Sequence, residues 1–339
     1  MSGPEAVRTP RWLVDYACRR SLVCCHAPWR PAVLPGEQAA VGRKLADAGA
    51  EATARAWSDA VVRRAGLEVL RQESERCVML HAAEPACTVH RDGGLMAMPE
   101  ACRTFPRAVA ATPDGLEVAF TTGCPTVTSL VLERRGPLVL EAGPAEGFPF
   151  RPTRRAGERV AWTHAIDLGW GELVALRQAW WQRLGEVERT DRSGGAEALL
   201  AVLGALRRAP GEPDGPSEEG LSTRLEPASL TRVTASLTRL PRRGGMYKEK
   251  LREVWAALAA PFGDEAVAAL ESEQAAALGR ATALGVQAAG VHLPGFALES
   301  MRQAARRAVE VAHVAGALGR AVATLGPDEA LADALVALG

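Results

Sequence analysis

Apolar residues recur at helical spacing over residues 36–48 and 51–65, the second stretch carrying Trp57, Val61 and Val62. Short β-type runs follow at 77–80, 87–90, 116–122 and 128–132. The Arg134–Gly136 stretch is positioned to turn the last of these back into 138–141 as a hairpin. Residues 143–159 are rich in Pro, Gly and Arg and read as a connector. Beyond them the helical period dominates. Residues 172–187 place Leu173, Leu176, Trp180 and Leu184 on one face, and further helices are expected at 195–208, 248–260, 264–278, 296–324 and 328–338. Asp264 follows Gly263 and Asp328 follows Pro327, as at helix starts. A Pro/Gly/acidic stretch at 209–220 interrupts the helices and reads as a mobile linker. No repeat of fixed period is present. The expected fold is an α-rich α+β class: a small mixed module with short strands over 11–142, a connector over 143–159, and a mostly helical domain over 160–339 broken by the linker at about 209–221.

Composition narrows the class. The chain has 339 residues, 47% hydrophobic and 24% charged, long enough for a sizeable core and for about two domains. Forty basic residues balance forty acidic ones, so bulk positive charge gives no handle on nucleic acid or an anionic membrane. Neither an export signal at the amino terminus nor an unbroken apolar run of about 18 residues is visible, and the expected location is the cytoplasm. Thiols stay reduced there, which favours metal ligation or reactivity over disulfides.

The seven cysteines are Cys18, Cys24, Cys25, Cys77, Cys87, Cys102 and Cys124, and none follows. Such confinement marks a module, and all seven are candidate metal ligands. A disulfide between the neighbours Cys24 and Cys25 would strain the backbone, so their thiols are expected to point to different sides. Four thiolates around Zn²⁺, or around an oxidised cubane cluster, carry a net −2 that Arg19, Arg20, Arg103 and Arg107 are positioned in sequence to offset. Pro125 after Cys124 fixes the turn there. Other readings stand beside these. Cys77 on an apolar run is suited to simple core packing, and Arg103 and Arg107 to a solvated surface. His26, His81 and His90 are either ligands or hydrogen-bonding neighbours of the site.

Cys18-x2-Ser21-x2-Cys24-Cys25, with Cys77, Cys87, Cys102-Arg-Thr-Phe-Pro-Arg and Cys124-Pro, resembles the Cys-x2-Cys-x2-Cys-Cys signature of the YkgJ-like cysteine-cluster family of zinc- or iron-chelating proteins. Trp29, the Phe-Pro-Arg at 105–107 and the Cys-Pro end are most similar to its flagellin lysine-N-methylase branch. The resemblance covers roughly residues 11–130. Ser21 stands where the family has a second cysteine, and a serine hydroxyl stays protonated at neutral pH, so one coordination position is left vacant or filled otherwise.

Three functions follow as expectations. The first is a cytoplasmic protein holding Zn or Fe, including a 4Fe–4S cluster, through the cysteine thiolates. The second, implied by the resemblance, is an S-adenosylmethionine-dependent lysine N-methyltransferase acting on a protein with exposed lysines. The third is a non-enzymatic, redox-sensitive interaction protein. Dinucleotide, P-loop, His-Glu-x-x-His, Cys-x3-Cys-x2-Cys and Gly-x-Ser-x-Gly motifs are all missing from the sequence. Trp180, Trp181 and His313 read as core residues. Glu271, Glu273, Glu218 and Glu219 read as solvated charge.

Overall fold

A computed structural model describes residues 6–26, 30–73, 76–81, 84, 86–190, 195–207, 224–225, 227–240, 243–293 and 295–338. The described residues are 56% helical and 15% strand, an α-rich α+β fold. They divide into two compact units. One takes in 18–105 and 238–245, and the other takes in the chain before 18, 106–237 and from 246 onward. The division differs from the expected module at 11–142, because strand pairing draws residues before 18 and after 105 into one sheet. The anticipated linker at 209–220 and Trp29 lie outside the described residues.

The larger unit is built on a five-stranded sheet in the order Leu140–Pro144, Ala6–Pro10, Gly115–Phe120, Arg107–Thr112, Arg154–Arg155. Ala6–Pro10 runs parallel to Gly115–Phe120 and antiparallel to Leu140–Pro144. Arg107–Thr112 and Gly115–Phe120 form a hairpin, with Val109 facing Val118. Gly115 has φ +115°, and a Cβ there would meet the Ala6 carbonyl oxygen at 2.5 Å, so only glycine fits where the two strands approach. Every residue from Leu116 to Phe120 is buried, as in a strand covered on both faces.

Helices cover this sheet. Ser272–Ala288 is buried almost all round, its Ala275, Ala276, Ala277 and Gly279 letting neighbours approach closely. It packs against Trp170–Glu186, Gly195–Arg207 and Ala297–Ala321, and the last of these also packs on Pro327–Leu338. Buried Arg280 fixes one further neighbour. Its Nε donates to the Val131 carbonyl at 2.6 Å and Nη2 to the Leu132 carbonyl at 3.0 Å, capping the end of helix Pro125–Glu133, while Nη1 pairs with Glu188.

Several local expectations are corrected. Residues 128–132 are helical, not a strand: Pro125 at the first helical position starts Pro125–Glu133, and tertiary packing of Val127 and Val131 overrides their β preference. Residues 138–141 consequently do not return as a hairpin; Leu140–Pro144 pairs with Ala6–Pro10 instead. The connector contains Arg154–Arg155, a strand on Arg107–Thr112. The helix expected over 264–278 is broken into Glu265–Ala268 and Ser272–Ala288, where the Gln274 side chain accepts the Glu271 amide proton at 3.2 Å. The helix over 248–260 is likewise two, Gly244–Glu249 and Leu251–Leu258.

In the smaller unit, Glu37–Asp47 and Glu51–Ala60 pack as a helix pair around Val41, Leu45 and Trp57, whose indole N–H donates to the Gln38 carbonyl at 2.9 Å. The second helix ends earlier than expected. Ala65 and Gly66, at φ 47° and 82°, form the tight turn of a hairpin joining Val61–Arg64 to Leu67–Leu70. Residues 87–90 were also expected as a strand. Instead Thr88 begins the helix Thr88–Gly93, which stops at Gly94 with φ +73°.

Candidate metal centre

Cys24 and Cys25 sit on a four-residue helix, Val23–His26; Cys77 ends the two-residue strand Arg76–Cys77; Cys87 precedes helix Thr88–Gly93; Cys102 is inside helix Glu100–Thr104. A bridge between Leu80 and Cys87 brings the second and third of these segments together. Cys77, Cys87 and Cys102 all pack against the same core of Trp57, Leu45, Leu70, Met79 and Val89. None of these five cysteines is disulfide-bonded.

The five thiols feel one another electrically. A thiolate at Cys77, Cys87 or Cys24 raises the pKa of Cys102 and so opposes its ionisation, and Cys25 is raised first by its hydrogen bond with Cys24 and further by charge on Cys24, Cys87 and Cys77. Burial is the larger cause for Cys102, Cys87 and Cys77, the last being pushed up to about 11. Backbone amides oppose that penalty. Met79 donates to the Cys77 sulfur, and His90 and Val89 donate to the Cys87 sulfur, favouring the thiolate. The paired cysteines do not face opposite sides as the sequence suggested. Their Sγ atoms lie 4.0 Å apart and share a hydrogen bond that lowers Cys24 and raises Cys25.

Among the described residues, no three His, Cys, Asp or Glu side chains already stand in ligating arrangement. The donor chemistry nonetheless suits a thiophilic cation. Buried sulfurs that burial keeps protonated are ionised by an adjacent metal charge, which supplies what the lost water took away.

The remaining sequence candidates occupy other surroundings. Cys18 is exposed and its sulfur accepts the Arg20 amide at 3.4 Å. Cys124 belongs to the larger unit, buried, with its Sγ 3.5 Å from the Tyr16 hydroxyl. His26 is held below its ordinary value by burial and by Arg76 and Arg239, and His90 by burial and by Arg20. His81 accepts the Glu84 amide on Nδ1 at 3.0 Å. Arg103 pairs with Glu100. Arg107, in the larger unit, stacks over Tyr16, Phe120 and Phe150 with its Cζ 4.6, 5.6 and 4.7 Å from the ring centroids. In the cysteine unit, Arg76 and Arg239 act on His26 and Arg20 on His90, and two of these three the sequence did not single out.

Sequence reasoning also missed a buried polar group in the larger unit. Glu117 is gripped by Arg177 through two bonds of 3.0 and 2.8 Å, with Gln287 Nε2 at 3.4 Å and His292 Nε2 at 3.6 Å. The available signal was an acid inside the apolar run 116–120.

No family model matches the chain, nor does any curated protein or solved structure.

Proposed function

We propose that residues 18–105 form a metal-binding module in which thiolates drawn from Cys24, Cys25, Cys77, Cys87 and Cys102 hold Zn²⁺ or an iron–sulfur cluster. The observation that carries this reading is the gathering of five thiols from four separate segments into mutual electrostatic reach within one compact unit. The elements bearing them are two to six residues long or flank such elements, too short to persist on propensity alone. A metal bridging them would contribute directly to folding free energy. Four thiolates on a dication leave a net −2, and Arg20, Arg76 and Arg239 belong to the same unit. A reducing compartment, the cytoplasm, is the setting in which such thiols stay available.

Elemental analysis of the purified chain, together with its absorption spectrum, tests the reading. Stoichiometric zinc in a colourless protein, or iron with broad absorption near ~400 nm, is expected. Substituting serine for Cys87 or Cys102 should bring metal content below half of the parent's. A chain that takes up neither metal after reconstitution under reducing conditions overturns it.

A further inference from the structure

In the larger unit, helices Ser272–Ala288 and Ala297–Ala321 pack closely at Gly285, where a Cβ would lie 2.9 Å from the Ala304 Cβ. Beside this crossing the small side chains Ala281, Ala304 and Ala308 leave a cleft of about 560 Å³. That volume is typical of small-molecule sites, roughly 300–1,000 Å³. Leu278, Val311, Leu335 and Leu338 give it apolar surface, and Arg, Ser, Thr, Gln and Glu side chains make up nearly half of the lining.

Three arginines line the same cleft: Arg232, Arg306 and Arg307. Arg306 and Arg307 have carboxylate partners, Glu299 at 3.6 Å and Glu310 at 3.1 Å. Arg232 donates to the Ser229 hydroxyl at 2.9 Å and meets no carboxylate among the described residues. Ser300 also lines the cleft. The residue is 5% exposed and its hydroxyl makes no hydrogen bond to any described residue, whereas Thr282, also in the lining, donates to the Leu278 carbonyl at 2.8 Å. A cleft with apolar surface, a serine hydroxyl in its lining with no partner among the described residues, and an arginine with no carboxylate beside it among the described residues together describe a site for one kind of molecule.

We infer that this cleft binds a single-chain anionic amphiphile, an acyl carboxylate whose hydrocarbon lies along the apolar surface and whose head meets Arg232. The hydrocarbon supplies affinity by leaving water, and the arginine, with its planar fork of donors, selects a carboxylate over a neutral head. This site is separate from the thiol cluster and does not depend on metal.

Calorimetric titration of the full chain with dodecanoate, dodecanol and inorganic phosphate tests the inference. Expected are saturable one-to-one binding of dodecanoate, at least tenfold weaker binding of dodecanol, and no saturation by phosphate. Arg232→Ala, an exposed substitution, should weaken dodecanoate about tenfold, and Ala281→Trp, which fills the trough, should abolish binding while circular dichroism stays unchanged. Absence of saturable dodecanoate binding overturns the inference. So does equal binding of dodecanol, saturation by phosphate alone, or unaltered affinity in Arg232→Ala. Should Ala281→Trp unfold, the Arg232→Ala and dodecanol arms still decide.

Discussion

Arg177 holds Glu117 by two hydrogen bonds, 3.0 Å from Nη1 and 2.8 Å from Nη2, in a place where both side chains are at most 2% exposed. The same Nη1 donates to the Gln287 carbonyl at 2.8 Å, so the pair ties the sheet to the middle of helix Trp170–Glu186 and to the end of helix Ser272–Ala288. Burying two charges costs several kcal/mol, which the bidentate geometry offsets. Removing one partner strands the other. Glu117→Gln or Arg177→Met should each destabilise by about 3–5 kcal/mol. In the double variant the loss should fall well short of the sum, a coupling that denaturant melts of the four proteins would measure.

Acid should weaken the fold through two buried groups of the larger unit. Although burial alone would raise Glu117, Arg177 and His292 hold its carboxyl below the ordinary value. Its contribution is therefore complete above the unfolded carboxyl value of about 4.3 and is lost as pH falls through the lower folded value. His313 acts earlier. Burial lowers it from 6.5, its ring stacks on Phe262 at 4.3 Å, and Nε2 lies 3.2 Å from the Leu258 carbonyl. The unfolded chain thus takes up the proton first, and stability declines as pH drops below 6.5. Unfolding free energy measured from about pH 8 to pH 5 should fall with acidification, and His313→Gln should make that slope shallower by up to ~1.4 kcal/mol per pH unit.

Much of the helical architecture was legible because long amphipathic periods are strong signals. Ala297–Ala321 and Trp170–Glu186 fall close to their expected bounds. The short elements were not. Four residues of Cys-Thr-Val-His look like a strand by composition, but the chain turns helical once Leu80 pairs with Cys87. The unit boundary was hidden for a different reason: the parallel pairing of Val7 with Leu116 joins segments more than a hundred residues apart. Clustering of cysteines in the sequence marked the thiol region, yet adjacency to Pro125 gave no hint that Cys124 would sit beside Tyr16 in the other unit.

Gly185 is a helix residue whose missing side chain is required. A Cβ there would lie 2.6 Å from the Pro137 Cβ and 2.8 Å from the Pro137 Cα. The obstacle includes backbone, which does not rotate away. In an exposed helix Gly→Ala gains about 0.5–1 kcal/mol. Here overpacking should reverse the sign, so that Gly185→Ala lowers stability by about 1–3 kcal/mol in a thermal or denaturant melt. Gly171, whose Cβ would meet nothing within 4 Å, serves as the control, and alanine there should be neutral or stabilising.

The cysteines themselves divide by environment, and that division can be measured. Cys102 and Cys87 are half-buried among the thiols that influence their ionisation, whereas Cys124 is buried in the other unit with its sulfur 3.5 Å from the Tyr16 hydroxyl. If the metal belongs to the thiol cluster, Cys124→Ser should retain the parent's metal content, and Cys102→Ser should lose at least half of it. Chelation should then lower the melting temperature of the parent by several degrees, since thiolate sites contribute to folding. It should leave metal-depleted Cys102→Ser almost unmoved. Metal content that drops equally in both serine variants would instead show that Cys124 joins the coordination sphere, and the five-thiol assignment would fall.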